Sequence, residues 1–191
     1  NAADDISLTG SSIIATTAVL NANGTIDSEN NGSTINESDG FVLDANVVKA
    51  KAAGAISLAS KSNQLVNVLL GNNSGNVTVY NGNTSNEALN IAVLNENAKI
   101  NGNLTVNNYS SGADNEIHIN QRLEATGNIE ITNDETGIAV SNSGAHLKAE
   151  NIKLQADTAS VSVGAGLVEA ADIVTLKGKN IEVSGGEIKA Q

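Results

Sequence analysis

From Leu123 to Gln191 the chain reads LEATGNIEITNDETGIAVSNSGAHLKAENIKLQADTASVSVGAGLVEAADIVTLKGKNIEVSGGEIKAQ. One short phrase, in which an aliphatic residue and an alanine flank a charged residue, recurs four times in this stretch. Its copies begin 24, 21 and 20 positions apart and are Leu123–Ala125, Leu147–Ala149, Val168–Ala170 and Ile188–Ala190. A period near 21 is a sequence signature of a solenoid, in which each repeat adds one coil.

Two further apolar pairs divide each repeat. The first pairs are Ile129 with Ile131, Ile152 with Leu154 and Ile173 with Leu176, and the second pairs are Ile138–Val140, Val161–Val163 and Ile181–Val183. Alternation of apolar and polar residues indicates β-strands, so each period contains three short strands. Antiparallel sandwiches also contain many short strands, but they do not repeat one phrase at a fixed offset.

We therefore predict an all-β fold, a right-handed single-stranded parallel β-helix (β-solenoid). About nine coils of roughly 21 residues would build three short sheets. The hand follows from the strong preference for right-handed crossovers between parallel strands. We expect the alanines of the phrase to form one inward ladder, where larger side chains would overpack the core. These are Ala125, Ala149, Ala170 and Ala190.

The first half of the chain repeats the pattern more loosely. With one apolar anchor per coil, the sequence predicts the series Ile13, Ile35, Ile56, Val77 and Ile100. Apolar residues continue through the Asn/Ser/Thr-rich residues 1–44, which favours solenoid over a disordered leader. We predict a single β-helix segment over residues 1–191, cut from a longer protein, with residues 1–110 less regular and residues 117–191 most regular.

Asparagine is frequent between the predicted strands, for example at Asn128, Asn151 and Asn180. Asparagine tolerates the backbone conformations of tight turns. Stacked asparagine side chains can also bond from one coil to the next, as they do in other cross-β stacks. Both explanations remain open from the sequence.

Composition excludes several functions. The net charge is −11, with a single arginine, which argues against nucleic acid because phosphates are bound by Lys and Arg. The chain contains no Cys, Pro, Met or Trp, one Phe and two Tyr, so it has neither disulfides nor thiolate ligands, and Ile, Val, Leu and Ala must form the core. No apolar run is long enough for a transmembrane helix.

The Gly/Asn-Ile-x-Leu/Ile phrase, the sparse aromatic residues and the Asn-Gly turns together resemble the stalk repeats of filamentous-haemagglutinin-like exoproteins of two-partner secretion. They are also similar to the β-helical passenger domains of autotransporters. The resemblance covers nearly the whole chain and is clearest over Leu123–Gln191. The Pro-containing motifs of the family's secretion domain are missing, since the chain has no proline.

The resemblance implies a β-helical shaft that is secreted by, or displayed on, a diderm bacterium. Its roles would be surface adhesion, biofilm formation or contact-dependent toxin delivery. The implied partners are an outer-membrane secretion protein, adjoining coils of the parent chain or end-to-end copies of the chain itself, and a host glycan or receptor.

No catalytic, cofactor or metal site is predicted, and we do not expect an enzyme. His118 and His146 should face solvent, and a zinc site normally needs Cys or closely placed His ligands. One alternative is a glycan- or host-protein-binding module that uses Asn107–Asp114 or residues 21–40. Another is a β-helical polysaccharide lyase or hydrolase, although its candidate carboxylates are scattered: Asp157, Glu169, Glu182 and Glu187.

Asn-x-Ser/Thr acceptor motifs for N-linked sugar occur only before residue 111. Because this half of the chain is rich in Asn, Ser and Thr, we favour chance over glycosylation as the origin of these motifs. The asparagines of these motifs are Asn23, Asn31, Asn36, Asn72, Asn76, Asn83, Asn103 and Asn108.

Overall fold

A computed structural model describes residues 5–10, 12–22, 33–38, 40–110 and 114–191. The described residues form twenty β-strands in three sheets and contain no helix. All pairs of neighbouring strands are parallel. The predicted all-β solenoid is therefore confirmed.

Each sheet takes one strand from each coil that reaches it, and neighbouring strands belong to successive coils. The first sheet contains, in order, β1 (Ile6–Leu8), β3 (Ile35–Glu37), β5 (Ile56–Leu58), β7 (Val77–Asn81), β9 (Leu104–Asn108), β12 (Ile129–Asn133), β15 (Ile152–Ala156) and β18 (Val174–Lys177). The second contains β2 (Ser12–Ala22), β4 (Val42–Ala52), β6 (Gln64–Asn72), β8 (Leu89–Val93), β10 (Ile117–His118), β13 (Ile138–Val140), β16 (Ser160–Val163) and β19 (Asn180–Val183). The third contains β11 (Arg122–Glu124), β14 (His146–Ala149), β17 (Leu167–Ala170) and β20 (Glu187–Ala190).

The solenoid makes about seven turns between β1 and β18, so the predicted count of about nine coils is too high. Residues in register along the first sheet are Ile6, Ile35, Ile56, Val77, Leu104, Ile129, Ile152 and Val174. Successive coils are therefore 29, 21, 21, 27, 25, 23 and 22 residues long. In the longer coils, the additional residues lie in the connections between strands, outside the core. The right-handed winding stays a prediction from the crossover rule.

The C-terminal repeat has the predicted register in the third sheet. Leu123 pairs with Leu147, and the ladder continues through Val168 to Ile188. The alanine ladder is also confirmed: Ala149, Ala170 and Ala190 lie in register, and the N–H of Ala125 donates to the Lys148 carbonyl at 2.9 Å.

One position of the C-terminal repeat was assigned wrongly. The partner of Ile152 is Val174, not Ile173. The side chains of one face lie two residues apart, so Val174 pairs inward with Leu176, whereas Ile173 belongs to the preceding turn and is exposed.

Two of the five N-terminal anchors were also wrong. Ile35, Ile56 and Val77 are in register as predicted. Ile13 instead lies on the second sheet, and Ile100 bridges to Ala125 at the start of the third. Both residues are apolar, so the spacing alone could not assign them to a sheet.

In the coils before β11, the long strands β2, β4 and β6 take the place of the two short strands that later coils contribute to the second and third sheets. In β4, Leu43 and Ala45 point inward, both Asn46 and Val47 point away from the core, and Val48 is again buried. This shift of the two-residue period by one position bends the strand around a corner, as a β-bulge does. The second half of the strand thus covers the side that the third sheet covers later.

The core is one continuous column of aliphatic side chains. Residues in register stack with about 4.8 Å between coils, and burial of each large aliphatic side chain contributes about 1.5–3 kcal/mol. Phe41, the only phenylalanine, packs in this column and is 4% exposed. Aliphatic ladders therefore hold the chain together, as its composition predicts.

Asparagine ladders run both outside and inside the coil. On the outside, Asn151 Nδ2 donates to Asn128 Oδ1 at 2.9 Å, so the stacking explanation holds there. Asn180 donates instead to the Ser160 hydroxyl, at 3.5 Å. Inside, Asn81, Asn108 and Asn133 are in register at the end of the first sheet and are at most 1% exposed.

Candidate functional site

The acceptor motifs for sugar divide according to burial. Asn72, Asn83 and Asn108 are buried and use their side-chain amides in hydrogen bonds to the protein. A sugar at any of these three amides is incompatible with the fold. The exposed candidates are Asn36, Asn76 and Asn103, whereas Asn23 and Asn31 lie outside the described residues.

The two histidines lie on different sheets and point outward, as predicted. Each is about one third exposed and faces a carboxylate: His118 Nε2 lies 3.0 Å from Glu116 Oε2, and His146 Nε2 lies 3.2 Å from Glu169 Oε2. Within the described ranges, no group of three or more His, Asp or Glu side chains is placed to hold a metal ion. Each histidine therefore has a surface carboxylate as its hydrogen-bond partner.

A row of alternating charges follows the outer face of the third sheet. The middle residues of the repeated phrase are in register there: Glu124, Lys148, Glu169 and Lys189. Opposite charges in neighbouring strands stabilise a sheet, whereas like charges destabilise it. The alternation of Glu and Lys at the middle position of the phrase is visible in the sequence.

The closest contact in this row links two coils. Lys148 Nζ lies 2.8 Å from Glu169 Oε1, and this hydrogen bond, with a further one from His146, holds the pKa of the Glu169 carboxyl below its usual value. The same contact raises the pKa of Lys148. Such exposed pairs contribute little to stability. They disfavour other registers, in which like charges would face each other.

The arginine beside this row fixes the loop after β8. Arg122 Nη1 donates to the carbonyl oxygens of Glu96 and Ala98, at 2.6 and 2.7 Å, and Nη2 pairs with Glu124. This loop lengthens the coil between Val77 and Leu104 to 27 residues. The single arginine of the chain therefore has a structural role.

The two tyrosines of the chain meet on another side of the rod. Their rings are 5.6 Å apart in an edge-to-face arrangement, and Lys61 Nζ lies 4.5 Å from the centre of the Tyr109 ring. Tyr80 lies on β7, and Tyr109 directly follows β9 at the start of the loop considered above for binding. We call Lys61, Tyr80, Tyr109, Asp134 and Asp157 the tyrosine patch. Sequence reasoning missed it because Tyr80 and Tyr109 are 29 positions apart.

The carboxylates of the patch stack below Tyr109, one per coil. The backbone N–H groups of Tyr109, Asp134 and Asp157 each donate to an asparagine carbonyl of the preceding coil, at 2.7, 3.1 and 3.0 Å. Desolvation, with the nearby charges of Asp157 and Glu135, raises the pKa of the Asp134 carboxyl. Desolvation also raises the pKa of Tyr109. The patch thus presents an aromatic surface beside anionic groups.

The other candidate carboxylates do not come together with the patch. Glu169 belongs to the charge row, Glu187 pairs with Lys189 at 3.1 Å, and Glu182 lies on β19 in register with Ser162. Asp157 lies close enough to Asp134 for its charge to act on that carboxyl group.

The last coil leaves apolar side chains open to solvent. Ile181 and Val183 on β19 are 51% and 50% exposed, whereas their register partners Val161 and Val163 are fully buried. In the third sheet, Ile188 is likewise exposed, and its partner Val168 is buried. We call the inward residues of β18, β19 and β20 the terminal face; they are Val174, Leu176, Ile181, Val183, Ile188 and Ala190. Their register partners in the preceding coil are buried.

No family model, curated protein or solved structure matches this chain. The part of the chain that the structure describes has no helix with the length and apolar character needed to cross a bilayer.

Proposed function

We propose that this chain is a structural shaft segment, a β-solenoid stalk of a secreted or cell-surface bacterial fibre that mediates adhesion or cell–cell contact. The observation that carries the proposal is the unbroken aliphatic column, whose coils are joined by parallel strand ladders in three sheets. The apolar residues of the terminal face continue columns that are buried in the preceding coil. Solenoids whose terminal coils are uncapped expose apolar surface and unpaired strand edges, and a shaft covers both with a further coil.

The mechanical role follows from how the coils are joined. Each coil bonds to its neighbours through parallel backbone ladders on its sheets, and the aliphatic column is continuous from Leu8 to Ala170. Bending the rod would open these ladders on one side and expose apolar surface. A solenoid of this kind holds whatever is attached to it at a fixed distance.

Removal of one coil tests the shaft role. Ile152 and Val174 are in register, so deletion of residues 152–173 joins Asn151 to Val174 without changing which residues face the core. We expect the shortened chain to keep its β-sheet circular dichroism and cooperative unfolding, with the rod shorter by about 4.8 Å in X-ray scattering. Deletion of residues 152–162, about half a coil, should abolish folding. Equal damage from both deletions would contradict the shaft role.

Surface display rests on the sequence resemblance and needs a separate test. Antibodies raised against the chain should label the outside of intact, non-permeabilised cells of the source organism, in filamentous arrays under immunogold electron microscopy. Labelling confined to permeabilised cells would rule out the adhesin role and leave the rod architecture untouched.

The tyrosine patch favours a second candidate function, a glycan-binding module on the side of the rod. Aromatic faces beside hydrogen-bonding carboxylates provide apolar and polar contacts for a sugar ring, and aromatic side chains recur in binding pockets. Binding on a glycan array that is lost in Tyr109→Ala, with circular dichroism unchanged, would support it. Thr105→Ala, on the outer face of β9, is the matched control. Equal binding by both variants would refute it.

A further inference from the structure

A cleft lies on the side of the rod where β4 and β6 end and the loop after β8 begins. Its volume is about 280 Å³. Strands from two coils and the loop of a third contribute to it, so it lies well inside the stack of coils. We call it the lysine cleft, and its lining includes Lys51, Gly71, Asn72, Leu94, Asn97 and Lys99.

A glycine creates the space in this cleft. Lys51 on β4 is in register with Gly71 on β6, so the exposed lysine has a neighbour without a side chain. A Cβ at Gly71 would lie 3.1 Å from Leu94 Cδ1 and 3.7 Å from Ala98 Cβ. A larger residue at this position would therefore occupy the gap between Lys51 and the loop after β8.

One wall of the cleft is held by the buried Asn72. Its Nδ2 donates to the carbonyl oxygens of Ser74 and Gly75, at 2.6 and 2.7 Å. Its Oδ1 accepts from the Asn101 N–H at 2.9 Å, and its carbonyl accepts from Asn101 Nδ2 at 2.8 Å. The turn after β6 and the start of the next strand are thereby fixed to each other.

The other wall is the loop that Arg122 holds through the carbonyls of Glu96 and Ala98. The loop is also tied to the preceding coil, because the Leu94 N–H donates to the Leu70 carbonyl at 2.8 Å. Both walls are therefore shaped by bonds within the protein. A ligand that enters such a cleft orders few side chains, which favours binding.

The cleft is positively charged in a protein whose net charge is −11. Lys51 and Lys99 line it, and Lys49 lies two residues before Lys51 on the same outward face of β4. Among the residues that the structure describes, none forms an ion pair with these three lysines. No Asp or Glu lines the cleft. Uncompensated charge of one sign in a cleft attracts ligands of the opposite sign, so the cleft favours an anion.

Asparagine amides in the cleft favour a ligand with hydroxyl groups. The side-chain amides of Asn73 and Asn97 form no hydrogen bond to the described part of the chain. An amide both donates and accepts, as a sugar hydroxyl does. Leu94 and Ala98 add an apolar surface for the C–H groups of a ring. No aromatic side chain lines the cleft on which a nucleotide base could stack.

We infer that the lysine cleft binds a carboxylated sugar residue of an acidic polysaccharide. Lys51 and Lys99 bind the carboxylate, and Asn73 and Asn97 bind ring hydroxyls. The volume is at the lower end of the range for ligand pockets, which suits one or two sugar rings. This binding activity goes beyond the proposed shaft function and does not depend on it.

An NMR titration of the isotope-labelled chain tests the inference with two matched probes. Digalacturonate carries carboxylates, and galactobiose of the same linkage has neutral hydroxymethyl groups in their place. We expect digalacturonate to shift the amide signals of residues 71–73 and 94–101. Galactobiose should bind at least about tenfold more weakly, because hydrogen bonds to charged groups are the stronger ones.

Two double variants separate the cleft from the overall charge of the protein. Lys51→Gln, Lys99→Gln should weaken digalacturonate binding at least about tenfold. Lys177→Gln, Lys179→Gln removes the same charge from exposed positions of the last coil and should weaken it less than about twofold, because salt screens distant charges. Asn97→Asp, which places a carboxylate in the cleft, should also weaken binding about tenfold. Circular dichroism checks that every variant is folded.

Four results would overturn the inference: no binding of digalacturonate, equal binding of galactobiose, shifts confined to other residues, or equal losses in the two double variants. Inorganic phosphate provides the remaining comparison. If phosphate displaces digalacturonate at equal concentration, the cleft recognises an anion and not a sugar, which also contradicts the inference. None of these results bears on the shaft function, which the coil deletion tests separately.

Discussion

Asn81 Nδ2 donates a hydrogen bond to Asn108 Oδ1 of the next coil at 3.1 Å, in the interior of the rod. Asn108 in turn donates to the Asn115 carbonyl at 2.9 Å and to Asn133 Oδ1 at 3.4 Å. A buried amide is costly unless it is paired. This ladder satisfies its amides by stacking equivalent residues, so each coil depends on the next for its internal hydrogen bonds.

Asn108→Ala should therefore destabilise the fold strongly. The substitution removes one amide and leaves Asn81 Nδ2 and Asn133 Oδ1 without their partner, at about 1–3 kcal/mol for each buried group left unsatisfied. Chemical denaturation followed by circular dichroism measures the loss. Asn97→Ala is the matched control, because Asn97 is exposed in the loop after β8 and should change stability by less than about 0.5 kcal/mol. Equal effects would mean that the ladder does not contribute.

Two isoleucines in one column should respond differently to truncation. Ile138 is buried, whereas Ile181, two coils further on, is half exposed. Ile138→Ala should lower the free energy of unfolding by about 2–5 kcal/mol, as truncation of other buried residues does. Ile181→Ala should lower it much less at low protein concentration, because this side chain is already half exposed. Thermal or urea unfolding gives both values. A large loss for Ile181→Ala at low concentration would show that the terminal face is already covered.

Gly82 is required by a close approach of two backbones. A Cβ at this position would collide with the carbonyl oxygen of Lys61 in the preceding coil. Gly82→Ala should destabilise by about 1–3 kcal/mol, the usual cost of overpacking. In the control Gly144→Ala, the nearest atom to the new Cβ is Asn142 Oδ1 at 3.7 Å, so the stability should be nearly unchanged. Comparable unfolding midpoints for the two variants would contradict the close approach.

The partly buried carboxyl of Glu37 should make stability depend on pH. Desolvation raises its pKa, although the Ser60 N–H and the Asn63 amide both donate to Oε2 at 2.8 Å. A raised folded-state pKa means that the contribution of this group is fully present below the unfolded value. It is lost as pH rises through the higher folded value. The stability of the native chain relative to Glu37→Gln should thus fall as pH rises from below 4.5, the ordinary value.

Paired denaturation curves at acidic and neutral pH measure this difference. A change at Gln64 would be a poor control, because the Gln64 side chain accepts a hydrogen bond from the Thr84 N–H, which Gln64→Glu would alter. Glu96→Gln is suitable, because Glu96 is exposed in the loop after β8. A difference between Glu37→Gln and the native chain that does not change with pH would contradict the desolvation of Glu37.

The C-terminal half of the fold could be predicted from the sequence because its turns are short and nearly equal. With steps of 20 to 24 residues, the position in the repeat indicates the sheet, and the phrase residues Leu123, Leu147, Val168 and Ile188 were placed correctly. Before residue 110, coil lengths vary from 21 to 29, and one long strand covers two faces. Spacing therefore misassigned Ile13 and Ile100 and gave too many coils.

The candidate surfaces were less accessible to sequence reasoning. The alternation of Glu and Lys could be recognised in the sequence once the register of the repeated phrase was known. The tyrosine patch brings together Lys61, Tyr80 and Tyr109, and the coil lengths between them decide whether they meet. The sequence could not show which asparagines are buried, because Asn108 and Asn103 have the same acceptor motif and lie in opposite environments.

By itself, the sequence determined that this chain is an all-β solenoid, because a repeated aliphatic pattern without aromatic bulk can be buried only by stacking equivalent strands. Only the tertiary structure shows how many turns the chain makes, that one long strand covers two sides of the rod in the early coils, and which apolar residues of the last coil are exposed. The physical reason is that burial depends on the next coil. Ile181 and Ile138 occupy equivalent places in the repeat, and only the presence or absence of a covering coil distinguishes them.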